Sequence, residues 1–85
     1  MTGTHRDNPE LTPELLRIGA TIKALREARG LTQEQLSQHA YLSRAYVANI
    51  EAGRKRPSTK AVARIAGALK VPQISIMVIA EEVAA

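Results

Sequence analysis

Four residues close together in the chain, Arg44, Ala45, Ala48 and Asn49, carry side chains suited to the edges of base pairs. An arginine fork bonds guanine through O6 and N7. An asparagine amide bonds adenine through N6 and N7, and an alanine methyl meets the methyl of thymine. A run of cations follows them. Between Ser43 and Arg64 these are Arg44, Arg54, Lys55, Arg56, Lys60 and Arg64, against the single acid Glu51. Glu81 and Glu82, further on, carry the opposite sign. A basic stripe confined to one stretch is the electrostatic footprint of a phosphate-binding face. The plain alternative is a solvated surface, and the turn motif that the stripe flanks weighs against it.

Other chemistries lack their parts. There is no Cys, so disulfide, thiol and Cys-based metal chemistry are excluded. His5 and His39 are the only histidines and stand in unrelated contexts. His39, at the end of a short helix, reads as a surface residue or a favourable C-terminal cation. No carboxylate pair has helical spacing on a cleft, and no nucleophile–base or metal set exists, so neither an enzyme nor a cofactor is expected. Tyr41 and Tyr46 are the only aromatics, too few for a stacking platform on single strands.

The elements that must hold these residues follow from local signals. Residues 1–11 are polar and aperiodic and read as a flexible arm. Thr12 and Pro13 open a helix as N-cap and first residue, with Glu14 in its first turn. Leu15, Ile18, Ile22 and Leu25 give that helix one apolar face, and Arg29-Gly30 closes it. Thr32 caps a short helix ending near His39, and Gln35 completes a capping box. Ala40-Tyr41-Leu42 connects it to a third helix capped by Ser43 and ended by Gly53. Leu36 on the second helix is expected to brace Val47 and Ile50 on the third. Arg54–Pro57 is a basic loop, and Ser58 or Thr59 opens a fourth helix with Val62, Ile65, Ala66 and Leu69 as its apolar stripe. Residues 12–72 thus form one domain. Residues 73–85 are an apolar segment. Pro72 and Ala80–Ala85 favour a last helix there, while β-branched residues between Ile74 and Ile79 keep a strand open. The segment either closes the core or meets a second copy or another protein.

The chain has 85 residues and a net charge of +4, a length for one domain with a modest core. No apolar run approaches the ~20 residues of a membrane span. The polar start has no signal-peptide core, which makes a cytoplasmic protein the expectation.

The ordered set Gly30-Leu31-Thr32-Gln33-Glu34-Gln35-Leu36, Leu42–Arg54, Pro57-Ser58 and Ile65–Val71 resembles the XRE family, the phage Cro and repressor type of helix-turn-helix. The likeness spans about residues 18–72. It implies an all-α fold, a compact bundle of about five helices, that binds double-stranded operator DNA as a homodimer. By position, Arg44, Ala45 and Asn49 match base-reading residues. Thr32 and Ser43 open the two helices with amides suited to phosphate, and Gln33 matches a phosphate-bonding glutamine that also supports the readers. Tyr46, Arg54, Lys55, Arg56 and Ser58 fall at or beside backbone-contacting positions. Arg26 and Glu51 match an internal salt bridge, which makes Glu51 structural. Two departures stand out. Tyr41 occupies a turn position where the family carries glycine, and Ser37 replaces the usual alanine. Some restriction–modification controllers share the missing glycine and the Arg44-Ala45-Tyr46 pattern. The implied function is a transcriptional regulator of phage-repressor type. A restriction–modification controller or an antitoxin is the alternative, and a protein-interaction module without DNA binding is less favoured by Arg44 and Asn49.

Overall fold

The computed structural model describes residues 12–76. Four helices lie wholly within them: α1 (Pro13–Ala28), α2 (Gln33–Ala40), α3 (Arg44–Glu51) and α4 (Thr59–Leu69). Each begins at a hydroxyl cap. Thr12, Thr32, Ser43 and Ser58 accept hydrogen bonds from Leu15, Gln35, Tyr46 and Ala61 backbone N–H groups respectively. Each cap thereby satisfies one of the orphan donors of a helix start. At Thr32 the box is reciprocal, since the Thr32 N–H donates to Gln35 Oε1 at 2.9 Å.

The core is built from the predicted stripes. Leu15, Ile18, Ile22, Leu36, Ala40, Val47, Ile50, Ile65, Ala66 and Leu69 form one buried cluster, joined by Ile76. Helix α1 packs on α3, and α2 packs on both α3 and α4. Leu36 and Val47 are wholly inaccessible, which gives α2 the bracing role its spacing implies. Residues 74–76 are helical, so the strand alternative fails there. Ile76 is buried whereas Ile74 is exposed. The arm at 1–11 and the rest of the apolar segment, 77–85, lie outside the described residues.

The turn between α2 and α3 keeps the geometry that a glycine would serve. Tyr41 lies in the left-handed region, with φ 59° and ψ 42°, and the Leu42 N–H donates to the Ser37 carbonyl at 2.9 Å. That closure satisfies carbonyls left over at the helix end. Its cost is a strained non-glycine backbone, roughly 1 kcal/mol. Ser37 is buried and its hydroxyl donates to the Glu34 carbonyl at 2.7 Å, so this departure from alanine leaves no polar group unsatisfied.

Candidate nucleic-acid interface

Helix α3 has two unlike sides. Val47 and Ile50 point into the core. Arg44 and Ala45 are exposed, and Tyr46, Ala48 and Asn49 are half-buried. The outward set predicted from spacing is therefore presented together on the first turns of α3 and along one flank.

The inward side is fixed by an ion pair and a close approach. Arg26 Nε and Nη2 donate to the two Glu51 carboxylate oxygens at 2.7 and 3.0 Å. Arg26 Nη1 donates to the Leu31 carbonyl at 2.7 Å, so the guanidinium ties α1 to α3 and to the loop before α2. Hydrogen bonding to Glu51 raises the Arg26 pKa further above its ordinary value. Gln33 Nε2 donates to the same Glu51 Oε1 at 3.1 Å, which orients the glutamine side chain at the start of α2. Helix α1 comes so near that a Cβ on Gly19 would meet the Ile50 carbonyl oxygen and lie 2.5 Å from that of Glu51. Only glycine permits this contact. Its one sign in the sequence is a glycine inside a helical pattern, where it costs about 1 kcal/mol relative to alanine.

The basic loop is folded back on the protein. Arg54 Nε donates to Asn49 Oδ1 at 3.3 Å. Lys55 Nζ sits 5.8 Å from the centre of the Tyr46 ring, within cation–π range. Arg56 Nη2 donates to Glu14 Oε1 at 2.7 Å. This bond is the main cause that holds the Glu14 carboxyl below its ordinary 4.5 and raises Arg56. Tyr46 Oη accepts from the Ser58 N–H at 3.1 Å, which clamps the loop's far end to α3. Each of the three loop cations therefore has an intramolecular partner. Glu14 stands 42 residues from Arg56 in the chain, and no local pattern announces the pair.

The caps qualify what Thr32, Ser43 and Ser58 can offer. Their oxygens already accept from their own helices, and the Thr32 and Ser58 amides are taken by Gln35 and Tyr46. Their hydroxyl protons and the first amides of the helices remain as donors toward an anion. Beside α3 a notch of about 280 Å³ is lined by Lys23, Gln33, Ala48, Glu51, Ala52 and Arg54. Lys23 and Arg54 supply its positive charge. Lys23 follows Gly19 by four residues and precedes Arg26 by three, so helical spacing alone sets it on the face of α1 that meets α3. Among the described residues no group of His, Asp or Glu side chains is placed to hold a metal ion, and no helix is long and apolar enough to cross a membrane.

The model of the helix-turn-helix domain family matches residues 17–75. The chain belongs to this helix-turn-helix family. Its curated relatives include the immunity repressor protein of Bacillus phage phi105, 46% identical over 63 residues, which cover 74% of this chain and 43% of the relative. The chain spans about half the length of the first curated relatives it matches. Among solved structures, the restriction-modification controller protein C.AhdI from Aeromonas hydrophila superposes with a TM-score of 0.75 at 31% identity, covering 76% of this chain and 98% of that one. The controller C.Esp1396I gives a TM-score of 0.72 at 28% identity, covering 87% of this chain and 99% of that one. Both sides of the sequence resemblance, phage repressor and controller, thus recur in this helix-turn-helix chain's relatives, and the all-helical fold is shared with both controllers.

Proposed function

We propose that this protein is a sequence-specific double-stranded DNA-binding transcriptional regulator, a repressor of the phage type acting as a dimer on an inverted repeat. The observation that carries this is the split of α3: its inner side is locked by Gly19, Arg26 and Glu51, while Arg44, Ala45 and Asn49 stand outward beside a basic loop. A helix braced from behind with polar, unobstructed residues at its N-terminal end is what a major groove accepts. Arg44, Ala45 and Asn49 read base edges. Thr32, Gln33, Ser43, Tyr46, Arg54, Lys55, Arg56 and Ser58 meet the sugar–phosphate backbone, and Lys23 joins them through the notch it shares with Gln33. Lys55 and Arg56 exchange intramolecular partners of modest strength for phosphates, an exchange that releases counterions from DNA.

The protein is not an enzyme and needs no cofactor. Its place is the cytoplasm, on the nucleoid when bound. In the dimer the reading helices lie about 34–36 Å apart, one turn of DNA. The exposed Ile74 supports residues 73–85 as the contact between copies. Sedimentation of Ile74→Glu tests this, with a dimer that dissociates as the expected result and an unchanged association state against it. A restriction–modification controller role is the second reading, favoured by Tyr41 at the left-handed turn position and by the likeness to C.AhdI.

Selection of bound duplexes from a random pool tests the whole reading. An enriched inverted repeat is expected. Recovery of unenriched sequence at low salt, with binding lost uniformly as salt rises, would contradict it.

A further inference from the structure

Arg54 is tied to Asn49 at two points. Its backbone N–H donates to the Asn49 carbonyl at 3.0 Å, and its Nε–H donates to Asn49 Oδ1 at 3.3 Å. The first bond depends on Gly53, whose φ of 80° turns the chain back over the end of α3. That reversal sets the guanidinium beside the side chain five residues earlier. The loop is then anchored twice more, by Lys55 on the Tyr46 ring and by Arg56 on Glu14, so the Arg54 backbone has a defined place.

The two ends of an asparagine amide are unlike, since Oδ1 only accepts and Nδ2 only donates. The Arg54 bond turns the acceptor toward the loop and leaves the donor end facing away from it. Bidentate reading of adenine needs both ends, with Oδ1 taking a proton from N6 and Nδ2 donating to N7. Guanine presents two acceptors, N7 and O6, and no donor in the major groove. An asparagine held by its oxygen suits guanine, and one that turns freely suits adenine.

We infer that Arg54 is a positioning residue that sets which end of Asn49 faces DNA, so that the base read by Asn49 is guanine. The inference rests on the proposed reading role of α3. It is tested by selection from a random duplex pool with the full chain and with Asn49→Ala, Arg54→Ala and Arg54→Lys. The position that loses its preference in Asn49→Ala identifies the base concerned. Guanine is expected there in the unsubstituted chain, with a shift toward adenine of about fivefold or more in Arg54→Ala, the discrimination that one bidentate pair supplies. Arg54→Lys keeps the charge but lacks the rigid fork, and it is expected to shift in the same direction while the salt dependence stays. Weaker binding of Arg54→Ala to all sequences, with guanine preference intact, would assign Arg54 to phosphate alone and overturn the inference. Adenine at that position in the unsubstituted chain also overturns it. If the unsubstituted chain enriches no sequence, the reading role of α3 itself fails, an outcome distinct from both.

Discussion

On its inner side, α3 meets α1 across Gly19, buries Val47 and Ile50, and holds Glu51 to Arg26 through two hydrogen bonds. On its outer side the same eight-residue helix carries Arg44 and Ala45 in solvent, and the contacts nearby join exposed cations to half-buried partners: Arg54 to Asn49, Lys55 to Tyr46, Arg56 to Glu14. The inner contacts are shielded from water, so each lost partner leaves a buried group uncompensated. The outer contacts are screened and individually weak. One helix thus divides its work: substitutions on the inner side are expected to cost stability, and those on the outer side, on the proposed reading, to cost binding.

The largest break is Glu51→Ala. It takes from the Arg26 guanidinium, with a side chain only 10% exposed, the carboxylate it hydrogen-bonds and leaves only that of Glu27 at 3.9 Å, and it also frees Gln33. A loss of about 3–5 kcal/mol is expected in chemical denaturation. Gly19→Ala comes next. Helix propensity alone would gain about 1 kcal/mol, but the new Cβ would press on backbone carbonyls of α3 that cannot swing aside. A net loss of about 1–3 kcal/mol is expected, and a net gain would show that α1 and α3 are not in close contact. Tyr41→Gly acts in the opposite direction. Tyr41 is 83% exposed, so little packing is lost, while the left-handed strain is relieved. The gain is at most about 0.5 kcal/mol after the extra freedom of glycine in the unfolded chain is counted. The smallest effect is in acid. The Glu14 carboxyl is held below 4.5 by its bond from Arg56. Its contribution is therefore complete above that ordinary value and disappears as pH falls through the lower, folded-state value. Glu14→Gln should lower stability slightly above pH 4.5, where the contribution is present, and leave it unchanged in strong acid, so that this small acid-limb slope disappears from the stability–pH curve.

Much of this division is legible in the residues themselves. Thr12, Thr32, Ser43 and Ser58 mark the helix starts because capping is a local interaction, within three residues of the chain. Val47 and Ile50, braced by Leu36 of α2, give the inner side of α3 because burial follows helical period. Tyr41 shows where local reasoning stops. Its type argues against a left-handed turn, yet the packing of α2 against α3 and α4 imposes one at a cost of roughly 1 kcal/mol. Lys70 adopts the same conformation at the end of α4, with φ 62°, and nothing in its type announces it. The fixing of the basic loop is less legible still. Glu14, Tyr46 and Asn49 become partners of Arg56, Lys55 and Arg54 only once the chain has turned at Gly53 and brought α1 alongside.

The measurement that bears most directly on the division of α3 is the specificity ratio of Arg44→Ala. Its affinity for a selected site and for random duplex is compared with that of the unsubstituted chain at one salt concentration, with Lys55→Ala beside it. Arg44→Ala is expected to lose about 1–3 kcal/mol on the selected site and much less on random DNA, while Lys55→Ala weakens both alike. Equal losses of Arg44→Ala on the two duplexes would contradict a reading role for the outer side of α3.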